Sequence, residues 1–354
     1  MCPAYYFIIS KFKVMQFVYF IGIDMSKEWF DAYLLNGSLP KSGEHKQFDN
    51  DRKGFKSFKT WMKQQGVKDF SQAFICMEHT GVYTVPLCQY LNSIKAVYTL
   101  IAGLEIKRSM GISRGKNDKV DAKRIAHYAY KERDFIRIYT LPSQAIRSLR
   151  TMLSLRRRLQ KAKHAFKVSN KELQEFEVLE IMTVLDQTTA KMLQSIENQL
   201  VEVDRTIDEI LQNHPCIKRN YELLCSVPGI GRWISLYLIV YTQNFVSFRT
   251  SRKFASYGGI APFADESGKH KAKSAHVSHI ANKRIKAILT NGAYAAVQNY
   301  AEFKTYFDQQ IEKGKNEFSV INAVKNKLLH RAFAVIRRNE KYAETYAFHT
   351  LVKR

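Results

Sequence analysis

The sequence predicts an α/β domain over residues 1–142, a helical, coiled-coil middle over 143–214, and a mainly α domain over 215–354. Three observations predict it. Short apolar runs separated by turn signals come first and then alternate with helical patterns, which indicates a layered α/β fold. The 72 residues between Pro142 and Pro215 contain no Gly or Pro. From Pro215 onward, helical stretches follow one another with short connections.

Taken in order, FVYFIGIDMSK, FDAYLLNG and KQFDN read as successive strands. FKSFKTWMKQQG reads as a helix closed by Gly66. AFICMEHTG is a buried strand leading into the helix VPLCQYLN, and KAVYTLI is a further strand. KNDKVDAKRIA opens a helix with alanines at 122, 126 and 129. In the middle region Leu193, Ile196, Leu200, Val203, Ile207 and Ile210 alternate spacings of three and four. That is a heptad seam, suited to a coiled coil or a helical hairpin and to assembly as a dimer or tetramer. Beyond Pro215 the one long Gly-containing interruption is FASYGGIAPFADESGKHKAK. Trp29, Trp61 and Trp233 fall at core-like positions and read as packing.

The charge narrows the function. There are 56 basic and 32 acidic residues, a net +24, well beyond what solubility requires and indicative of a polyanionic partner. Residues 215–354 carry 23 basic and 9 acidic residues, and 143–170 carry eight basic and none acidic, including Arg156, Arg157 and Arg158. An exposed helix face can carry such charge without a partner, but its one-sidedness favours a nucleic-acid-facing arm. Five scattered cysteines with no CxxC and no Cys/His cluster argue against a disulfide framework and a structural zinc site and fit a reducing cytoplasm. Lys11 and Lys13 interrupt the apolar N-terminus, so no signal peptide or membrane span is expected. Met15 stands just before the first strand, and residues 1–14 read as an extension.

The acids are placed unusually. Asp24 interrupts the apolar run FVYFIGIDM, where an ionised carboxylate is costly unless a cation or several donors meet it. Glu78 ends the buried strand AFICME in the same way. Asp118 and Asp121 lie three apart at the start of a helix in a segment otherwise basic, with Cβ atoms roughly 5–6 Å apart. Acids in a first helical turn are also favoured by the helix dipole alone. Together the four make an oxygen-only constellation of the kind that selects Mg²⁺ or Mn²⁺ and serves phosphodiester chemistry.

YFIGIDMSKEWFDAYLL, ICMEHTGVY and KNDKVDAKRIA resemble, in order and spacing, the DEDD domain of the IS110 family of insertion-sequence transposases. LLCSVPGIGRWISLYLIV and FASYGGIAPFADESGKH are similar to that family's C-terminal transposase domain. The likeness runs from about Phe20 to about Gln298. It implies a RuvC-type, RNase H-like N-terminal domain with Asp24, Glu78, Asp118 and Asp121 as metal-binding catalytic acids. It also implies metal-dependent DNA strand exchange, guidance by a structured noncoding RNA, and Ser267 of the ESG motif as nucleophile, with Ser274 and Ser278 as alternatives. The chain departs from the family pattern after that loop, where His279 and Ala281 replace a lysine and a glycine.

SVPGIGRWI has the form of a helix-hairpin-helix turn, in which Gly229, Gly231 and Arg232 would bring a phosphate to a helix N-terminus; a plain helix connection is the alternative. Lys269, Lys271 and Lys273 surround Ser267, and Lys283 and Arg284 follow, as further candidate nucleic-acid contacts. Three other functions compete. A RuvC-like nuclease or junction resolvase needs the four acids but leaves Ser267 unexplained. A DNA invertase of the pilin-inversion type shares both motif sets. A non-catalytic nucleic-acid-binding protein explains the charge but not Asp24.

Overall fold

The computed structural model describes residues 17–40, 42–109, 117–135, 138–173, 178–263, 266–267, 270–271, 276–277 and 281–343. The chain forms two units, residues 1–141 and 142–354. The N-terminal extension expected at 1–14 lies outside the described residues.

In the first unit, β1 (Tyr19–Met25), β2 (Trp29–Asn36) and β3 (Gly43–Asp49) form an antiparallel meander. The chain then passes through α1 (Arg52–Gln64), β4 (Ala73–Glu78), α2 (Val85–Ser93), β5 (Val97–Ile101), α3 (Gly103–Ser109) and α4 (Asp118–Lys131). Strands β4 and β5 run parallel to β1, giving one five-stranded sheet in the order β3-β2-β1-β4-β5. Helix α1 starts at Asp51, whose carboxylate accepts from the Gly54 N–H at 2.7 Å, and is closed at Gly66, which has φ +91°.

The apolar runs are continuous because both faces of the sheet are covered. Ile21, Ile23, Phe30, Ile75 and Met77 point to one face, against Phe55, Phe58 and Trp61 of α1 and Leu87 and Leu91 of α2. Phe20, Tyr33, Leu35, Phe74 and Cys76 point to the other, against Ile106 of α3 and Ala122, Ile125 and Ala126 of α4. Burying each large side chain is worth roughly 1.5–3 kcal/mol. Gly22 sets the closeness of the second layer. A Cβ there would lie 2.2 Å from both the Ala122 carbonyl oxygen and the Ala126 nitrogen, so α4 rests directly on the backbone of β1.

The second unit begins with α5 (Gln144–Leu173) and α6 (Leu179–Gln212). They are antiparallel: Arg156 pairs with Asp204 at 2.7 Å and Lys163 with Glu197 at 2.6 Å, seven residues further along α5 and seven back along α6. The predicted seam is therefore used inside the chain. Val203 and Ile207 are buried in one core with Leu149 and Leu153 of α5, and Ile196 is buried as well. The heptad pattern made a hairpin, because antiparallel packing of two helices asks for the same spacing as association between chains. Val203 and Ile207 of the 193–210 seam are thus occupied within the chain.

Helices α7 (Pro215–Cys225), α8 (Arg232–Thr242) and α9 (Ser251–Tyr257) follow. The interruption starts later than the sequence indicated, since Phe254–Tyr257 finish α9 with Phe254 and Ala255 buried. It contains two short antiparallel pairings, β6 (Pro262–Phe263) with β9 (His276–Val277), and β7 (Glu266–Ser267) with β8 (His270–Lys271). Helices α10 (Lys283–Asn299), α11 (Ala301–Glu312) and α12 (Glu317–Arg338) complete the unit. No helix among the described residues is long and apolar enough to cross a membrane.

Candidate active site

Asp24 is the residue after the pair Ile23↔Met77 of the parallel β1–β4 register, and Glu78 is its counterpart on β4. Alternation puts both on the face that carries Phe20, Gly22, Phe74 and Cys76, the face covered by α4. Because Ala122 and Ala126 sit on Gly22, the preceding turn of α4 arrives over the strand ends. That turn contains Asp118 and Asp121. Asn117 caps it, its side chain accepting from the Lys119 N–H at 3.0 Å. Two aspartates stand in this basic segment where a helix N-terminus tolerates acids and meets a strand-end acid.

Asp24 senses the other three. Burial, and then the charges of Asp118, Asp121, Glu78 and Asp31, push the Asp24 carboxyl up to about 6. Glu78 is packed tightly: a Cβ on Gly103 would lie 2.2 Å from its Oε1, so the glycine that opens α3 leaves room for this carboxylate. Asp121 pairs with Arg124 at 2.8 Å. Asn50 ties the turns after β1 and β4 together, donating from Nδ2 to the carbonyls of Lys27 at 3.3 Å and Tyr83 at 3.1 Å. Among the described residues no three His, Cys, Asp or Glu side chains converge closely enough to hold an ion in this geometry. The chemistry of the four acids, all oxygen and all on one face, fits a hard divalent cation.

Asp31 is a fifth acid that the sequence reading passed over. It is 4% exposed, faces Asp24 across the β1–β2 ladder, and accepts from the side chains of His45 at 2.7 Å and Gln47 at 3.1 Å. The signal was present in WFDAYLL, an acid within an apolar strand, as in the run around Asp24.

The raised Asp24 has a consequence for stability. Its folded pKa lies above the ordinary 3.8, so between about 4 and about 6 the folded chain holds more protons than the unfolded one and stability falls as pH rises. In chelator at pH 8, Asp24→Asn should melt about 2–4 °C higher than wild type, allowing for solvent screening. Added Mg²⁺ should stabilise wild type and not the variant. A variant that melts lower in chelator would show that the aspartate is not under electrostatic strain.

The other candidates are placed as follows. Gly229, at φ +82°, is needed for packing, since a Cβ there would lie 2.7 Å from that of Ala296. Gly231 caps α8, is exposed and has open space beside it. Arg232 is turned to Asp208 at 2.7 Å, and Arg156, already paired with Asp204, stacks 3.3 Å from the Trp233 ring centroid. Trp233 is thus part of a cation–π stack, Trp61 is core, and Trp29 is 39% exposed, contrary to its core-like pattern, because it sits where β2 begins. Arg157, Arg158 and Lys283 are exposed, whereas Arg284 donates to the Tyr237 hydroxyl at 2.9 Å. The backbones of Ser267 and Lys271 belong to the β7–β8 hairpin, with Ser267 opposite His270. Their side chains, and Lys269, Lys273, Ser274, Ser278 and His279, lie outside the described residues. The four acids and Ser267 belong to different units.

Acids gathered at the strand ends of an α/β layer, in a chain of net charge +24, define an enzyme that works on nucleic acid. Residues 21–173 match the model of the DEDD transposase domain of IS110 elements, described as "Transposase", and residues 221–308 match "Transposase IS116/IS110/IS902 family". The chain is 26% identical over 327 residues, 91% of its length and 97% of theirs, to the pilin gene-inverting proteins of Moraxella bovis and Moraxella lacunata. It is 26% identical over 153 residues, 43% of this chain and 36% of the other, to the insertion element IS110 uncharacterized 43.6 kDa protein of Streptomyces coelicolor. With two domain matches in this order, the chain belongs to the IS110 family of transposases. Its N-terminal domain is RuvC-like, its activity is DNA-cleaving recombination, and its substrate is DNA.

Proposed function

We propose that this transposase moves its element by divalent-ion-dependent strand exchange through a covalent serine–DNA intermediate, guided by a structured RNA. The observation that supports it most is the coupling of Asp24 to Asp118, Asp121 and Glu78 at the ends of β1 and β4. These four residues would hold Mg²⁺ or Mn²⁺, which lowers the pKa of an attacking hydroxyl and offsets charge on the attacked phosphate. Arg124 restrains Asp121, and Gly103 leaves Glu78 its place. Ser267 Oγ gives up its proton and bonds to phosphorus, the strand's P–O bond breaks, and the leaving oxygen takes a proton. The phosphodiester persists as a phosphoserine link ready for rejoining. The acids and the serine come from different units, so the proposed reaction requires both on one DNA strand.

A guide RNA follows from the family resemblance and suits the exposed Arg157, Arg158 and Lys283. A second reading, DNA inversion, is favoured by the Moraxella relatives, whose names state inversion and which the chain matches over 97% of their length. The test is to co-express the protein with its flanking DNA, sequence the RNA that purifies with it, and assay a plasmid carrying the element ends in both orientations. Bound RNA from the flank, with insertion or excision, is expected. Recombination by RNA-free protein would overturn guidance, and inversion alone would favour the second reading.

A further inference from the structure

Lys325, in the middle of α12, is 5% exposed among Val324, Leu328 and Leu329. Its ammonium has three protons to donate and, among the described residues, one hydrogen-bond partner, the Thr290 hydroxyl at 3.3 Å. That hydroxyl is itself committed, donating to the Lys286 carbonyl at 2.8 Å. Among the described residues the charge that acts on it is another cation, Lys286, one turn before Thr290 on α10, and burial with this neighbour pushes Lys325 down to about 8. Among the described residues no carboxylate answers them. Helix α10 contains no acid, and the only one on α12, Glu317, lies two turns from Lys325 and accepts from the Tyr294 hydroxyl at 3.2 Å.

A buried, unpaired ammonium is a net loss in the free protein, and an apolar side chain of the same length would fill the place at lower cost. Its presence calls for an anion. We infer that Lys325 and Lys286, with Thr290 orienting the first, form a binding site for a backbone phosphate of the DNA. The site meets solvent through the half-buried Lys286. It also lies at the foot of the serine loop. One turn before Lys325, Asn322 Nδ2 donates to the Ile260 carbonyl at 2.8 Å, two residues before β6 and the Ser267 hairpin. A phosphate held there fixes the strand beside the segment that carries the candidate nucleophile. The inference rests on the chain's acting on DNA and adds the place where its C-terminal unit grips the backbone.

The experiment uses full-length wild type, Lys325→Met and Lys286→Met, a short duplex DNA of random sequence as probe, and thermal melting without DNA. Each variant should bind about three- to tenfold more weakly at near-physiological salt and show a salt slope shallower by about 1. Lys325→Met should also melt about 2–4 °C higher than wild type. Lower melting with an unchanged slope would make Lys325 a structural residue and overturn the inference. So would weakening confined to an RNA hairpin of equal length. Stabilisation of wild type alone by inorganic phosphate, with equal DNA slopes, would assign the site to a small anion instead. Should Lys325→Met fail to fold, the half-buried Lys286→Met decides by its slope. Wild type without any DNA affinity would sink the broader DNA reading, whereas wild-type binding with unchanged slopes in both variants sinks only this one.

Discussion

Asp118→Asn is expected to abolish divalent-ion-dependent strand cleavage while leaving nucleic-acid affinity within about twofold. The substitution removes one charge and almost no volume from the first turn of α4. The turn keeps its position because that depends on Ala122 and Ala126 resting on Gly22, and its cap depends on Asn117. What changes is the number of anionic oxygens facing Asp24, whose raised pKa owes its largest contribution after burial to Asp118. A hard cation held by four carboxylates loses affinity steeply when one becomes an amide. On the proposed mechanism, loss of the ion would remove activation of the attacking hydroxyl, worth several kcal/mol of barrier and hence about 10³-fold or more in rate. Affinity for nucleic acid, proposed to come from basic groups elsewhere such as the exposed Arg157 and Arg158, is expected to be untouched. The measurement is cleavage of a nicked or supercoiled substrate beside a binding titration. Full cleavage by the variant would remove Asp118 from the site.

The second large effect concerns Ser267. On nicked substrates trapped under denaturing conditions, wild type is expected to yield a protein–DNA adduct mapping to the peptide that contains Ser267. Ser267→Ala should yield none, and Asp118→Asn should also yield none, because a hydroxyl is a poor nucleophile until something activates it. The β7–β8 hairpin carries this residue: the Ser267 backbone pairs with His270 in the ladder. An adduct that persists in Ser267→Ala would move the role to Ser274 or Ser278. Cleavage by wild type with no adduct would favour a nuclease that uses water, the alternative that needs only the four acids.

The strands were legible in the sequence, because a buried strand is apolar whatever covers it, and so were Asp24 and Glu78, because an acid inside such a run is conspicuous. It was legible too that the region without Gly or Pro is helical and that Ile196, Val203 and Ile207 share one face. Whether that face met another chain or α5 was decided only by the antiparallel pairing of Arg156 with Asp204 and Lys163 with Glu197. The same pairing took Arg156 out of a charge run that read as a uniform basic arm. Tertiary structure alone laid α4 on Gly22 and so brought Asp118 and Asp121 to Asp24, some 95 residues away in sequence. It also paired Asp31 with His45 and left Lys325 buried beside a second cation. Periodicity reports which face a residue occupies. The charge or hydrogen-bond partner waiting on that face comes from elsewhere in the chain, and only folding supplies it.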